Sequence, residues 1–231
     1  LRRIALILGV LVAWSLAATP SAPTQSPIVV RAGQSTHLRL SVRGARLVVE
    51  GRLSPPQPGS RCRAMRRGGG AVCALAGATS IVVETSPEPD KVEVLDPLPV
   101  PLTAHLGAGS DKLIGNAEPD TCYPEGTRRN RCVGGGGNDV CVSAPVNTDC
   151  VGGPGDDFCR TGAGSDGCWG GPGDDVCLMG RGHDGCHGEA GSDRLYGGPA
   201  SDQLYGGRGR DYCDGGPGVG YSHNCEAGPG H

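Results

Sequence analysis

Residues 134–214 read GGGGNDVCV (134–142), SAPVNTDCV (143–151), GGPGDDFCR (152–160), TGAGSDGCW (161–169), GGPGDDVCL (170–178), MGRGHDGCH (179–187), GEAGSDRLY (188–196), GGPASDQLY (197–205) and GGRGRDYCD (206–214). Nine nonapeptides follow one another without a gap. In all but 143–151, glycines lead to an acidic position six and an inward-facing position eight. Position six is aspartate in eight of the nine: Asp139, Asp157, Asp166, Asp175, Asp184, Asp193, Asp202 and Asp211. A fixed period means that one local structure is built repeatedly and gains its stability by stacking on its neighbours. Glycines at positions one, two and four admit the positive φ that a tight turn requires. The three residues after the aspartate form a short strand, with position eight inward and positions seven and nine outward.

Two nonapeptides complete a coil of eighteen residues, so each repeat stacks on the next but one. Aspartates of successive coils then lie about one strand spacing, ~4.8 Å, apart. Carboxylates in rows, with turn carbonyls beside them, form an oxygen-rich cage that suits Ca²⁺ better than Mg²⁺, which demands stricter geometry. The competing reading is a glycine-rich solenoid whose aspartates cap their own turns.

These residues resemble the RTX, or hemolysin-type, calcium-binding nonapeptide G-G-x-G-x-D-x-U-x. The resemblance covers 106–214 and is tightest over 152–214. It implies an all-β, right-handed parallel β-roll with Ca²⁺ held between stacked turns by position-six aspartates and main-chain carbonyls. Carried over residue by residue, the implied metal ligands are Asp111, Asp120, Asp139, Asp157, Asp166, Asp175, Asp184, Asp193, Asp202 and Asp211. One edge would run Asp139–Asp157–Asp175–Asp193–Asp211 and the other Asp166–Asp184–Asp202. Thr148 interrupts the second edge, with Asp149 one position late. Asn130 replaces an aspartate earlier, Ala200 stands where a position-four glycine belongs, and Pro124 shifts the register by one residue.

The chain departs from that family at position eight. Cys132, Cys141, Cys150, Cys159, Cys168, Cys177, Cys186 and Cys213, with Cys122 from an earlier repeat, stand where Leu, Ile or Val is usual. Stacking sorts eight of them into two interior columns, 122/141/159/177 and 132/150/168/186. Stacked Cα atoms at ~4.8 Å fall within the disulfide window of roughly 4.4–6.8 Å. The favoured pairs are 122–141, 159–177, 132–150 and 168–186, with 213–225 and 62–73 outside the columns. Cross-core pairs between successive repeats, such as 141–150 and 159–168, use the cysteines equally well, and spacing does not choose between them. Reduced thiols binding Zn²⁺ or Cu⁺ are the other reading. Cys-x₈-Cys is not a usual zinc spacing, and an exported chain meets an oxidising compartment.

Export is read from the start of the sequence. Arg2 and Arg3 precede an apolar run over 4–16, and small residues place signal cleavage after Ala17. Thirteen apolar residues are short for a membrane span. The remaining organisation is a linker over 18–27, a β-rich segment or solenoid cap over 28–97, the roll over 98–214, and a decaying cap or tail over 215–231. Residues 1–105 hold twelve Lys/Arg against six Asp/Glu, whereas 106–231 hold nine against eighteen. An acidic array points to divalent cations rather than nucleic acid. With 42 glycines and only 3% aromatic residues, disulfides and bound metal must replace much of a conventional core.

No His-Glu-x-x-His or Gly-x-Ser-x-Gly pattern is present, and no catalytic pair lies in 28–105, so no enzymatic activity is expected. The basic loop 61–73 reads as a solvated, disulfide-closed hairpin. His183 and His187 should project from different faces, which argues against a shared metal. Trp169, Leu178, Tyr196 and Tyr205 occupy outward position nine and could form an adhesive strip. The expected protein is a secreted or cell-surface calcium-binding solenoid; the alternative is an adhesive solenoid in which calcium is scaffold only.

Overall fold

The computed structural model describes residues 25–34, 36–57, 60–66, 69–126, 128–218 and 220–226. The signal sequence expected over 1–17 lies outside these residues, as does most of the linker. Every regular element among the described residues is a strand. The first seven are β1 (Ser26–Arg31), β2 (His37–Arg43), β3 (Arg46–Glu50), β4 (Cys62–Ala64), β5 (Gly70–Ala74), β6 (Ala78–Glu84) and β7 (Lys91–Val94). Next come β8 (Leu102–Leu106), β9 (Lys112–Ile114), β10 (Asp120–Pro124), β11 (Asn130–Val133), β12 (Val140–Val142), β13 (Thr148–Val151) and β14 (Phe158–Arg160). The last are β15 (Gly167–Pro172), β16 (Val176–Leu178), β17 (Gly185–Gly191), β18 (Arg194–Tyr196), β19 (Gln203–Gly209), β20 (Tyr212–Asp214) and β21 (Tyr221–His223). No helix among the described residues is long and apolar enough to cross a membrane.

The strands form a parallel β-solenoid with two walls. One sheet runs β1-β6-β8-β10-β12-β14-β16-β18-β20, and the other runs β21-β19-β17-β15-β13-β11-β9-β7-β2-β3-β5-β4. From β6 onward the chain alternates between walls, so a strand pairs with the next but one. The register is the eighteen-residue step read from the sequence: Cys141 pairs with Cys159, Cys159 with Cys177, and Cys150 with Cys168. Cys122 pairs with Cys141, nineteen residues on, which absorbs the extra residue at Pro124. Strands β1, β2, β6 and β7, which carry no glycine-rich turns, pair into the same two sheets. Only β3, β4 and β5 are antiparallel; they extend one wall beyond β2 and end it in the hairpin closed by Cys62–Cys73.

The interior changes character along the axis. Leu38, Leu40, Ile81, Val83, Leu102, Leu106 and Leu113 fill the first coils. Cysteines take over from Cys122 to Cys186, and Leu195 and Leu204 return before Cys213. The three-residue strands of the repeats, such as β12, β14 and β16, bury only their middle residue, as the alternation of side chains along a strand requires.

The disulfides correct one expectation. They are 62–73 and 213–225 as expected, but 122–132, 141–150 and 168–177 across the core, with Cys159 and Cys186 as buried thiols. The pairs 122–141, 159–177, 132–150 and 168–186 do not form. Strand neighbours in one wall project their side chains in parallel into the lumen, so each sulfur meets sulfurs of the facing wall first.

Outward position nine is divided between the walls. Trp169, His187 and Tyr205 stack on one, with ring centroids 6.0 and 4.7 Å apart and planes within 2° and 9°. Leu178 and Tyr196 lie on the other wall, so the four residues do not make one strip.

Candidate metal centre

The turns are close-packed main chain, which is why they are glycine. Gly153 has φ 117°, and a Cβ there would stand 1.9 Å from the Gly135 carbonyl oxygen of the preceding coil. Only glycine accepts both the backbone conformation and that approach. Stacking at this distance fixes the position-six aspartates in two buried rows.

The first row runs Asp120, Asp139, Asp157, Asp175, Asp193 and Asp211. The backbone N–H of each donates to Oδ1 of the next: Asp120 to Asp139, Asp139 to Asp157 and Asp157 to Asp175 at 2.7 Å, Asp175 to Asp193 at 2.8 Å, and Asp193 to Asp211 at 3.0 Å. Asp120 also accepts the Asn116 N–H of its own turn through Oδ2. The second row follows the same rule. Asp90 N–H donates to Asp111, Asp111 to Asn130, Thr148 to Asp166, Asp166 to Asp184, and Asp184 to Asp202. All ten sequence-predicted aspartates therefore lie in these rows, each no more than 7% exposed.

Every carboxylate has two oxygens, and the ladder uses one. Oδ2 of Asp111, Asp139, Asp157, Asp166, Asp175, Asp184, Asp193, Asp202 and Asp211 is buried with no hydrogen-bond partner. An isolated buried carboxylate oxygen is costly, and buried polar groups are nearly always paired. These oxygens do not stand alone in space. A Cβ on Gly152 would meet Asp157 Oδ2 at 2.0 Å and the Gly170 carbonyl of the next coil at 2.7 Å. On Gly188 it would meet Asp193 Oδ2 at 2.3 Å and the Gly206 carbonyl at 2.6 Å. The missing side chain leaves a cradle in which a carboxylate oxygen and a carbonyl oxygen converge. An all-oxygen, flexible donor set of this kind fits a hard divalent cation, Ca²⁺ above all.

Electrostatics say the same. Burial pushes the Asp139 carboxyl up to about 8 and Asp175 to about 7, against the lowering effect of the backbone donor. Asp111, Asp120, Asp157, Asp184 and Asp193 are raised to about 6 by burial. Asp166 and Asp202 are raised for the same reason. Stacked carboxylates add to this: Asp157 and Asp193 both push Asp175 upward. A cation between coils would relieve both effects.

The second row has an internal cation. Arg129 Nη2 and Nε donate to Asp149 Oδ1 and Oδ2 at 2.7 and 3.2 Å, a two-pronged pair beside the Thr148 gap. Its charge also acts on Asp166. Outside the first row, Asp156 and Asp174 at position five form a second ladder, accepting from Asp174 and Ser192 N–H. His183 at the same position of another turn donates from Nδ1 to the Ser201 carbonyl, while His187 lies in the aromatic stack.

Sequence reading missed Asp90, Asn130 and Thr148 as rungs. Asp90 is 5% exposed, takes the Ser86 N–H and hydroxyl on Oδ2, and opens the second row. Its signal was the D-x-V-x-V run over 90–94, which places an aspartate two residues before an inward Val92 without any glycine turn ahead of it.

Residues 151–185 and 187–221 match the family model of the RTX calcium-binding nonapeptide repeat (4 copies). They span the coils carrying Asp157 to Asp211. No curated protein compared with the chain matches it. Sequence, solenoid and family model agree that the chain carries RTX nonapeptide repeats, and such repeats bind Ca²⁺.

Proposed function

We propose that this RTX-repeat chain is an exported, multi-site calcium-binding module that works outside the cell or at its surface. Its position-six aspartates are the ligands. Asp139, Asp157, Asp175, Asp193 and Asp211 serve one edge, and Asp166, Asp184 and Asp202 serve the other. Asp111 and Asp120 begin the rows where the glycine turns begin.

The observation that carries this reading is the line of buried, unpartnered Oδ2 atoms, those of Asp157, Asp193 and Asp211 beside a carbonyl oxygen across a glycine. Aspartates that only capped their turns would spend both oxygens on N–H groups, as Asp90 does. Bound Ca²⁺ supplies the positive charge that stacked, buried carboxylates lack. The chain's own residues orient the oxygens, because Oδ1 of every one of these aspartates but Asp120 is fixed by an N–H of the preceding coil. Arg129 performs this charge-balancing at the Thr148 gap, so the second edge takes no metal at that gap and resumes at Asp166.

The five disulfides support an oxidising location. They also restrict the unfolded chain, each by about 2–4 kcal/mol, so coils should persist in part without metal. The role is one of binding rather than catalysis.

Calorimetric titration of the metal-free, oxidised chain with Ca²⁺ tests this, with Mg²⁺ as the control. Several equivalents of Ca²⁺ with little Mg²⁺ heat are expected. A folded chain that takes up no Ca²⁺ refutes the assignment.

A further inference from the structure

The interior disulfides follow a rule that breaks once. Cys141–Cys150 joins a strand of the nine-stranded wall to the next strand of the facing wall, with Cα atoms 6.3 Å apart. Cys122–Cys132 runs in the same direction. Cys168–Cys177 runs the other way, from the twelve-stranded wall back to the nine-stranded one. That reversal strands Cys159 on one side and Cys186 on the other as thiols.

The solenoid repeats every eighteen residues, so the geometry of one rung predicts its translates. Moving 141–150 by one coil gives 159–168, and moving it by two gives 177–186. The strand register carries both ends of each translate: Cys141 onto Cys159 onto Cys177, and Cys150 onto Cys168 onto Cys186. A pair of this kind already closes at 141–150, so neither translate asks for a new backbone arrangement. The thiols are also placed for exchange. Sγ atoms of Cys168, Cys177 and Cys186 lie within 4.8 Å of one another, as do those of Cys141, Cys150 and Cys159. Each free thiol therefore abuts a disulfide.

We propose that Cys159, Cys168, Cys177 and Cys186 form one four-sulfur redox unit with two oxidation levels. The lower level holds the 168–177 disulfide between two thiols. The upper level holds 159–168 and 177–186. The step between them is thiol–disulfide exchange followed by oxidation. Cys186, as thiolate, attacks Cys177 Sγ; the 168–177 bond breaks, and Cys168 leaves as a thiolate and takes a proton. This moves a thiol from 186 to 168 with no net oxidation. The Cys159 and Cys168 thiols then give two electrons and two protons to an external small-molecule disulfide, which leaves as two thiols. All eight columnar cysteines are now paired in one direction, 122–132, 141–150, 159–168 and 177–186. The partner class is a disulfide–dithiol couple such as oxidised and reduced glutathione.

Trypsin separates the two levels cleanly, because Arg131, Arg160, Arg181 and Arg194 divide the region into peptides 132–160, 161–181 and 182–194. The full chain is equilibrated across a series of glutathione ratios, starting both from the folded protein and from the reduced, unfolded chain. It is then quenched in acid, alkylated and digested. At reducing ratios, peptide 161–181 should carry an internal bond, and Cys159 and Cys186 should both be alkylated. At oxidising ratios both alkylated forms should vanish together, and the three peptides should migrate as one disulfide-linked cluster, with peptide 113–128 attached through Cys122–Cys132. Cys159→Ser should abolish the cluster while leaving one thiol shared between 186 and 168. The proposal is overturned if chain refolded at oxidising ratios keeps the internal bond in 161–181 with Cys159 and Cys186 alkylated or glutathionylated. It is equally overturned if Cys159→Ser still joins 132–160 to 161–181, which would mean random pairing.

Discussion

Replacing Asp175 by asparagine should stabilise the metal-free chain and destabilise the calcium-loaded one. Asparagine keeps the oxygen that accepts the Asp157 N–H at 2.7 Å and removes the charge on the unpartnered oxygen. Burial and the flanking Asp157 and Asp193 raise the Asp175 carboxyl from 3.8 to about 7. Ionising it at pH 8 therefore costs the folded state about 4 kcal/mol, at roughly 1.4 kcal/mol per unit. The new amide N–H₂ loses part of that gain, about 1–3 kcal/mol, as a buried donor without a partner. The net gain is about 1–3 kcal/mol, which raises the melting midpoint by roughly 3–10 °C in a chain of this size. Calcium reverses the sign. Asp175 lies between the coils of Asp157 and Asp193 and contributes to two cages. A ligand at a hundred times its Kd adds about 2.7 kcal/mol per site, so losing both removes about 5 kcal/mol. Thermal melts at pH 8, followed by circular dichroism in chelator and in excess Ca²⁺, give both numbers. A variant that is destabilised to the same extent in both conditions would show that Asp175 is only a turn cap, and the reasoning would fail.

Acidity should act on the metal-free chain in the same sense. Because Asp139, Asp175, Asp157 and Asp193 have folded pKa values of about 8, 7, 6 and 6, the destabilisation is absent below their unfolded values near 4 and complete above about 8. The melting midpoint in chelator should thus rise as pH is lowered from 8 to 5, and excess Ca²⁺ should flatten or invert that slope. Ala200 holds φ 113°, where glycine is at ease, so Ala200→Gly should gain about 1 kcal/mol and raise the midpoint by roughly 2–4 °C. Thr148→Asp combined with Arg129→Gln should add calcium capacity to the second edge, read as a higher calorimetric stoichiometry. Arg129→Gln alone should instead cost about 1–3 kcal/mol, because Asp149 loses its bidentate partner.

The glycine–aspartate coils were legible because each nonapeptide writes its turn, its carboxylate and its inward residue in a fixed order. Position six could be located to the residue, the period called for stacked repeats, and the resemblance to the RTX nonapeptide implied the parallel roll. The first coils were less legible. Strands β1, β2, β6 and β7 pair in the same sheets, yet the turns after β6 and β7 use Ser, Thr, Pro and Asp rather than glycine, and their core is ordinary Leu, Ile and Val. Asp90 was hidden for the same reason. The disulfide rungs were illegible in a different way. Spacing assigns a cysteine to a column, but side-chain direction across the lumen decides its partner. Arg129 could not be found at all from pattern, because its function depends on Asp149 being displaced by one residue into a buried place beside the Thr148 gap.

The central claim is that metal lies between coils along two rows of aspartates. Crystals of the oxidised chain grown in Ca²⁺, with anomalous difference maps recorded at a wavelength where calcium scatters, test it most directly. The account predicts peaks in two lines spaced by about one strand separation, ~4.8 Å. One line should follow Asp139 to Asp211 and the other Asp166 to Asp202, each peak within bonding distance of Oδ2, with none beside Arg129. Anomalous maps without peaks in either row, or with calcium only at exposed carboxylates such as Asp156 and Asp174, would contradict it.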